Sequence, residues 1–303
     1  MTWSAAMGVI VLLGIAPAVP GVATRTKSWL TGRRGAPVAQ LYWDLLRLLR
    51  KGAVYSTTTT WVFRAAPVVG VVAPLVAASL VPLAGSAATF SFSGDFVGFA
   101  ALLALGRFAF VLAALDTGSS FEGMGASRDA AFAAFVEPAL FVNFLVLVMA
   151  TGQLSLGGAL GGAHLPWVSS GPALAMAVVS LFFVLLAEAS RVPVDDPATH
   201  LELTMIHEVA ALDYSGPDLA LVQYGAALRM TLLMALPVTL LVSGADRSLP
   251  AALALLVGGI LAGGVVVGVV ESVMARLRLS RVPQFLVAAS VLASLGAILQ
   301  LLA

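Results

Sequence analysis

The sequence contains no cysteine, and only 10% of its 303 residues are charged. Without thiols the chain forms no disulfide, binds no iron–sulfur cluster or structural zinc through sulfur, and offers no cysteine nucleophile. Any redox centre of that kind must belong to a partner. A soluble domain carries about 25% charged residues, so the scarcity of charge excludes an ordinary soluble globular protein. Nor does one sign dominate: 16 Lys+Arg against 15 Asp+Glu leave a net charge of +1, without the basic excess that nucleic-acid binding requires. No fixed-period repeat and no similarity between halves is evident, which counts against an inverted-repeat transporter.

Long apolar runs are what the sequence does have. Crossing a bilayer takes about 20 apolar residues, and eight stretches qualify, at about 3–23, 64–84, 96–115, 130–151, 168–188, 224–243, 249–271 and 283–302. The first has no basic residues ahead of it and is followed by Arg25 and Lys27, so it reads as a retained anchor rather than a cleaved signal. The expected fold is an all-α integral membrane protein forming a single membrane domain over 1–303.

Eight spans make the loops alternate in side, and the charges sort with them. One set of loops, at about 24–63, 116–129, 189–223 and 272–282, carries with its span ends thirteen of the basic residues; the other set carries Arg247. By the positive-inside rule the charged loops are cytoplasmic and both termini lie outside. In a bacterial cell this places the chain in the inner membrane. Most acids share the charged side, Asp95 and Asp246 being the exceptions in loops.

Three cytoplasmic segments carry information. In the first, Val38, Leu41, Tyr42, Leu45 and Leu49 have helical spacing, with Gln40, Asp44, Arg47 and Lys51 on the opposite face. This predicts an amphipathic helix at the membrane surface, suited to anionic headgroups or to an acidic protein partner. In the second, Gly118, Gly123 and Gly125 among small hydroxylated residues predict a compact turn, with Ser127 or Asp129 starting the fourth span. No Gly-Lys-Ser/Thr ending follows, which argues against a phosphate loop. In the third, Pro193 and Pro197 predict an extended or turned stretch, and Ala198 to Leu212 a helix with His200, Thr204, His207 and Glu208 on one face. Two turns separate His200 from His207, roughly 10 Å and too far for one metal. A polar face at a protein contact fits better.

Four ionisable residues fall inside or at the ends of spans: Arg107, Glu137, Glu188 and Glu271; Arg229 is a further intramembrane cation. Such groups pair, protonate or face a wet cavity, and desolvated carboxylates suit proton transfer. Glu137, between Val136 and Pro138, has the most apolar sequence setting.

The run Ala187-Glu188-Ala189-Ser190-Arg191-Val192-Pro193-Val194-Asp195-Asp196-Pro197, with Glu202-Leu203 and Asp213-Tyr214-Ser215-Gly216 downstream, resembles subunit 1 of respiratory complex I, the NuoH-like membrane family. Gly32-Arg33-Arg34-Gly35 is similar to that family's first cytoplasmic loop. Within it, Leu115-Asp116-Thr117-Gly118-Ser119 and the stretch Val192 to Glu208 look closer to the membrane subunits of group 4 nickel–iron hydrogenases, the formate hydrogenlyase and hydrogenase-4 type. The resemblance implies a non-catalytic anchor and coupling subunit of an oxidoreductase complex. Its partners would be soluble hydrogenase large and small subunits holding the nickel–iron and iron–sulfur centres, antiporter-like membrane subunits, and lipid. It further implies a proton path through Glu137, Glu188, Asp195, Glu202, Glu208 and Asp213. Arm docking would fall to Arg33, Arg34, Arg191, His200 and His207. No catalytic or metal-ligating residue is expected in this chain. The sequence departs from the complex I pattern in having Ala198 and His200 where two glutamates would stand, and about three extra residues between Glu202 and Asp213. Both departures suit a relative that delivers electrons to protons rather than to a membrane quinone. A quinone-site subunit of a true complex I and a free-standing secondary transporter are the competing readings.

Overall fold

A computed structural model of the chain describes residues 3–83, 88–161, 165–195, 206–242 and 248–302. Their regular structure is all helical, with no strand among the described residues. The helices are α1 (Trp3–Ile15), α2 (Ala18–Leu30), α3 (Gln40–Leu49), α4 (Trp61–Ser79), α5 (Asp95–Asp116), α6 (Ser120–Thr151), α7 (Leu156–Gly161), α8 (Trp167–Glu188), α9 (Gly216–Val242), α10 (Leu249–Val273) and α11 (Val282–Leu302). Seven of them, α4, α5, α6, α8, α9, α10 and α11, are long and apolar enough to cross a membrane. The pair α1 and α2 makes an eighth span if taken together.

That first span is not the continuous helix the hydropathy suggests. It bends by 45° between α1 and α2, because Pro17 has no N–H to donate and disfavours helix at Ala16. Two carbonyls at the break are capped by side-chain hydroxyls: Tyr224 donates to Leu13 O at 3.1 Å and Tyr42 to Gly14 O at 2.5 Å. A break of this kind survives at membrane depth only where protein supplies such partners.

Helix α9 is the centre of the bundle. Within its apolar window 78% of residues are buried, against 28% in α10 and α11. It packs against α3, α4, α8 and α10, while α11 lies across α6 and α8, and α5 joins α4 to α6. Helix α10 approaches α2 closely: a Cβ on Gly268 would stand 2.5 Å from Ala23 O, so only glycine allows this separation.

Direct contacts put the four charged loops on one side. Thr60 N–H donates to Asp116 at 2.6 Å, Asp213 N–H to Glu122 at 3.0 Å, Leu277 N–H to Pro193 O at 3.0 Å, and Val54 N–H to Ser215 Oγ at 2.9 Å. On the opposite side, buried Asp95 accepts Leu156 N–H at 2.6 Å, and Trp167 Nε1–H donates to Leu240 O at 3.3 Å. All five tryptophans fall into two matching levels. Trp29, Trp43 and Trp61 lie toward the charged side, while Trp3 and Trp167 begin α1 and α8 at the other. Interfacial aromatic belts have this arrangement.

Three local expectations need correction. Helix α6 begins at Ser120, not near Ser127 or Asp129, so most of the expected glycine turn is its first helical turns. Gly125 is helical because a bare backbone is needed there: a Cβ would meet Ile206 O at 2.9 Å and Ala210 N at 3.1 Å. Of the helix expected over Ala198 to Leu212, residues 198–205 lie outside the described residues, and Val209–Ala211 is a single 3₁₀ turn packed on α6. In α3, Leu41, Tyr42 and Leu45 are half-buried as their spacing suggests, but Leu49 is exposed together with Trp43 and Leu46.

Gly216 joins two of the charged loops. Its φ of 53° is left-handed, and an added Cβ would stand 2.5 Å from Gly52 O. Gly216→Ala is expected to cost about 1–3 kcal/mol by strain and by parting the 52–55 and 215–216 segments, read as a lower thermal unfolding midpoint in detergent.

Candidate functional site

Five ionisable side chains from four helices meet toward the charged side of the bundle. Helix α5 contributes Arg107, α6 contributes Asp129 and Glu137, α8 ends on Glu188, and α9 contributes Arg229. Arg107 donates from Nη2 to Glu188 Oε1 and from Nη1 to Glu137 Oε1, the latter at 3.2 Å. Arg229 Nη1 lies 3.8 Å from Glu188 Oε2. Asp129 is within electrostatic reach of both guanidiniums. The Arg107 and Glu188 side chains are only 7% and 4% exposed, whereas Glu137 is 41% exposed on the flank of the bundle. Buried charges at this depth are tolerable only because they are paired. Three carboxylates against two guanidiniums leave one negative charge in excess, and Glu188 Oε2 is buried without accepting a hydrogen bond.

The chain leaves α8 through Ala189 and Ser190, whose φ of 48° is unusual for a residue with a side chain. Strain of this kind, about 1–3 kcal/mol, persists where the surroundings enforce it. Ser190 and His207 line two adjoining spaces. The inner one, about 40 Å³, also touches Glu188 and Arg229 and has room for water. The outer one is a cleft of about 530 Å³, with Pro20, Leu41, Leu219 and Met230 among its apolar residues and Arg191, Asp195, Tyr214 and Gln223 among its polar ones. Its size lies within the range of small-molecule sites.

His207 packs on the Phe110 ring, tilted by 30° at 4.5 Å between centroids. It is half-buried by surface area yet faces both guanidiniums. Burial first, then Arg229 and Arg107, lower its pKa from 6.5 to about 4, against a raising influence of Glu188. Tyr214 donates to Phe63 O at 2.9 Å and stacks on the Phe63 ring; burial, then Asp218, Glu122 and Asp116, raise its pKa.

A second set of charges ties loop to loop. Glu271 of α10 is shared by Lys27 at 3.7 Å and Arg191 at 3.3 Å. Asp195 lies 3.9 Å from Arg276 and accepts Ile206 N–H at 2.7 Å.

The family model described as NADH dehydrogenase matches residues 4–302, nearly the whole chain. The chain belongs to this NADH dehydrogenase family. Among the family's characterised members, hydrogenase-4 component C of Escherichia coli (strain K12) is 32% identical over 231 residues, covering 76% of this chain and 72% of that protein. Formate hydrogenlyase subunit 4 of the same organism is 30% identical over 282 residues, 91% of each chain. The NuoH-type membrane subunit of NADH-quinone oxidoreductase from Rickettsia prowazekii (strain Madrid E) is 26% identical over 203 residues, 66% of this chain and 59% of that one. A chain in the structure of the membrane-bound sulfane sulfur reductase, an archaeal respiratory membrane complex, superposes with a TM-score of 0.80 over 98% of both chains at 18% identity, a likeness of fold. The protein is thus a multi-pass membrane subunit of a complex I-like assembly, and such a subunit has partner subunits.

The residues singled out from the sequence of this family member fall in several different places. Glu137 and Glu188 come together through Arg107. Asp195, Glu208 and His207 line the outer cleft, while Asp213 is exposed beside Glu122. His200 and Glu202 lie outside the described residues. Arg33 and Arg34 are exposed. Two of the docking residues are not on the outer surface. Arg191 is turned inward onto Glu271, and His207 is a wall of the cleft rather than an outer face. Glu137 is not in the most apolar setting, since it reaches the flank of the bundle. Arg229 partners Glu188 and not Glu137. Asp129 and Ser190 were missed. Asp129 lies eight residues before Glu137 on one broad helical face, a signal visible only once α6 is known to start at Ser120.

Unfolded His207 takes up a proton near its ordinary 6.5, the folded one only near about 4, so the native state favours the neutral ring. Stability is then full above pH 6.5 and is lost as pH falls toward 4, by on the order of 3 kcal/mol. Thermal unfolding midpoints of the wild type should fall across that window, and His207→Phe should flatten this part of the profile.

Proposed function

We propose that this chain is the membrane anchor and energy-coupling subunit of a multi-subunit membrane-bound hydrogenase related to complex I. In this reading it docks a soluble nickel–iron hydrogenase arm and offers carboxylates along which protons move. The observation that carries the reading is the line of groups from His207 and Glu188, which share the inner cavity, across Arg107 to Glu137 on the flank of the bundle. An acid 41% exposed on a flank that would otherwise meet lipid calls for a covering membrane subunit, which we take to be of the antiporter-like kind. Proton transfer along such a path needs only hydrogen-bond reach or one bridging water per hop. One excess carboxylate provides a resting place for the proton, and the two guanidiniums hold the remaining charges in register. The similarity to hydrogenase-4 component C and to formate hydrogenlyase subunit 4 favours the hydrogenase setting.

Nickel–iron and iron–sulfur centres would reside in the soluble large and small subunits, because the donor set they require does not exist in a chain without cysteine. The charge asymmetry of the loops supports a cytoplasmic position for the charged side, both termini outside, and location in the inner membrane. Arg33 and Arg34, exposed on that side, are suited to orienting the arm. Arg33→Ala/Arg34→Ala should reduce the soluble subunits retained in mild detergent, more steeply as salt rises. Retention equal to wild type across the salt series would mean that the pair only sets topology.

Glu137→Gln separates relay from structure. It should leave assembly and dye-linked hydrogenase activity near wild type while reducing turnover-coupled ion translocation at least tenfold. Normal translocation by the assembled variant would remove Glu137 from the path. The outer cleft of about 530 Å³ supports a second reading, a quinone-site subunit of a true complex I. Quinone extracted in stoichiometric amount from the purified complex would favour it.

A further inference from the structure

We infer that the outward face of α3 is a binding site for an anionic phospholipid, taking the phosphodiester headgroup between Arg47, Arg50 and Lys51 and the upper acyl chains against Trp43 and Leu46. These five residues line a hollow of about 470 Å³ on the charged side of the bundle. Four of them, at 43, 46, 47 and 50, share one face of the helix by spacing, and Lys51 follows at its end. Trp43 is 60% exposed and Leu46 50%, although both are large and apolar. Arg50 and Lys51 have no acidic partner among the described residues. Arg47 has only Asp44 at 3.7 Å, itself held by Gln40 at 3.0 Å. The hollow therefore joins uncompensated positive charge to exposed apolar surface within one or two helical turns.

The placement of α3 selects lipid over an acidic protein. Its other face is taken: Tyr42 is tied to Gly14 at the break between α1 and α2, and the helix packs on α9. Trp43 shares its end of the bundle with exposed Trp29 and Trp61, so the bilayer interface reaches α3. A soluble acidic partner would complement the cations but leave Trp43 and Leu46 without apolar contact. A phospholipid complements both, since headgroup and chains present the same order of charge and hydrocarbon along the membrane normal.

The test uses the full chain, purified in mild detergent and exchanged into vesicles of phosphatidylcholine with or without phosphatidylglycerol. Lipid carried through a second purification is counted by native mass spectrometry. Phosphatidylglycerol should be retained in preference to phosphatidylcholine, with retention falling as salt rises. Arg47→Gln/Arg50→Gln/Lys51→Gln should lower it by tenfold or more, from about 1 kcal/mol per lost cation. Brominated phosphatidylglycerol should quench wild-type fluorescence by more than it quenches Trp43→Phe. Equal retention of the two lipids by the wild type, salt-independent retention, or unchanged retention by a folded triple variant would each overturn the assignment. Displacement by inorganic phosphate with no preference for the diacyl lipid would overturn it in favour of a bare anion site. The wild-type lipid preference and salt series decide the matter even if the triple variant fails to fold.

Discussion

A carboxylate at the end of α8, buried between two guanidiniums, is the constraint on which the rest of this structure depends. Glu188 alone in an apolar bundle would cost several kcal/mol, and removing either charge of such a pair leaves the other uncompensated at a cost of about 3–5 kcal/mol. Arg107 and Arg229 therefore have to be where they are. Because they come from α5 and α9, the pairing holds three helices in register, and the second bond of Arg107 to Glu137 brings in α6. The same pairing determines where the chain leaves the membrane after α8, and so where Ser190, His207 and the cleft beyond them lie.

The two sides of the molecule are organised by different physics. On the opposite side one buried acid, Asp95, and a few backbone bonds close short connections. On the charged side the loops are joined by carboxylates that accept backbone N–H groups from other loops: Asp116 from Thr60, Glu122 from Asp213, Asp195 from Ile206. Ionised acceptors make stronger hydrogen bonds than neutral ones, so a small number of acids orders a large irregular surface. Asp195, which resembles a proton carrier in the sequence, is committed to this architecture. Glu137 and Glu188 stand apart because they face guanidiniums and open space rather than backbone.

Membership in a family that contains both hydrogenase and NADH-quinone oxidoreductase subunits fits a scaffold with two separable features. The charged path through Glu188 reaches the flank, and the cleft reaches the region of Leu41 and Pro20. His207 and Ser190 are common to both spaces. Burial first, and then the two guanidiniums that a charged ring would have to face, keep the histidine at that joint neutral.

The sequence by itself determined the all-helical membrane class, the number of apolar spans to within the broken first one, the shared side of the charged loops and the family. These follow from composition, hydropathy and local motifs, which depend on neighbours in the chain. Proline at 17 was visible, but whether it would end a span or merely kink it depended on Tyr42 and Tyr224, residues up to 211 positions away that supply hydroxyls to the break. Glycines at 123 and 125 read as a turn because their local preference is for turns. Ile206 and Ala210, packed against Gly125, make the bare helix the better solution. The ionisable residues were each legible as anomalies in apolar surroundings, while their partners were not. Which arginine meets which carboxylate, and which acid serves backbone rather than protons, is decided by helix packing over long sequence separations. Only the tertiary structure contains that information.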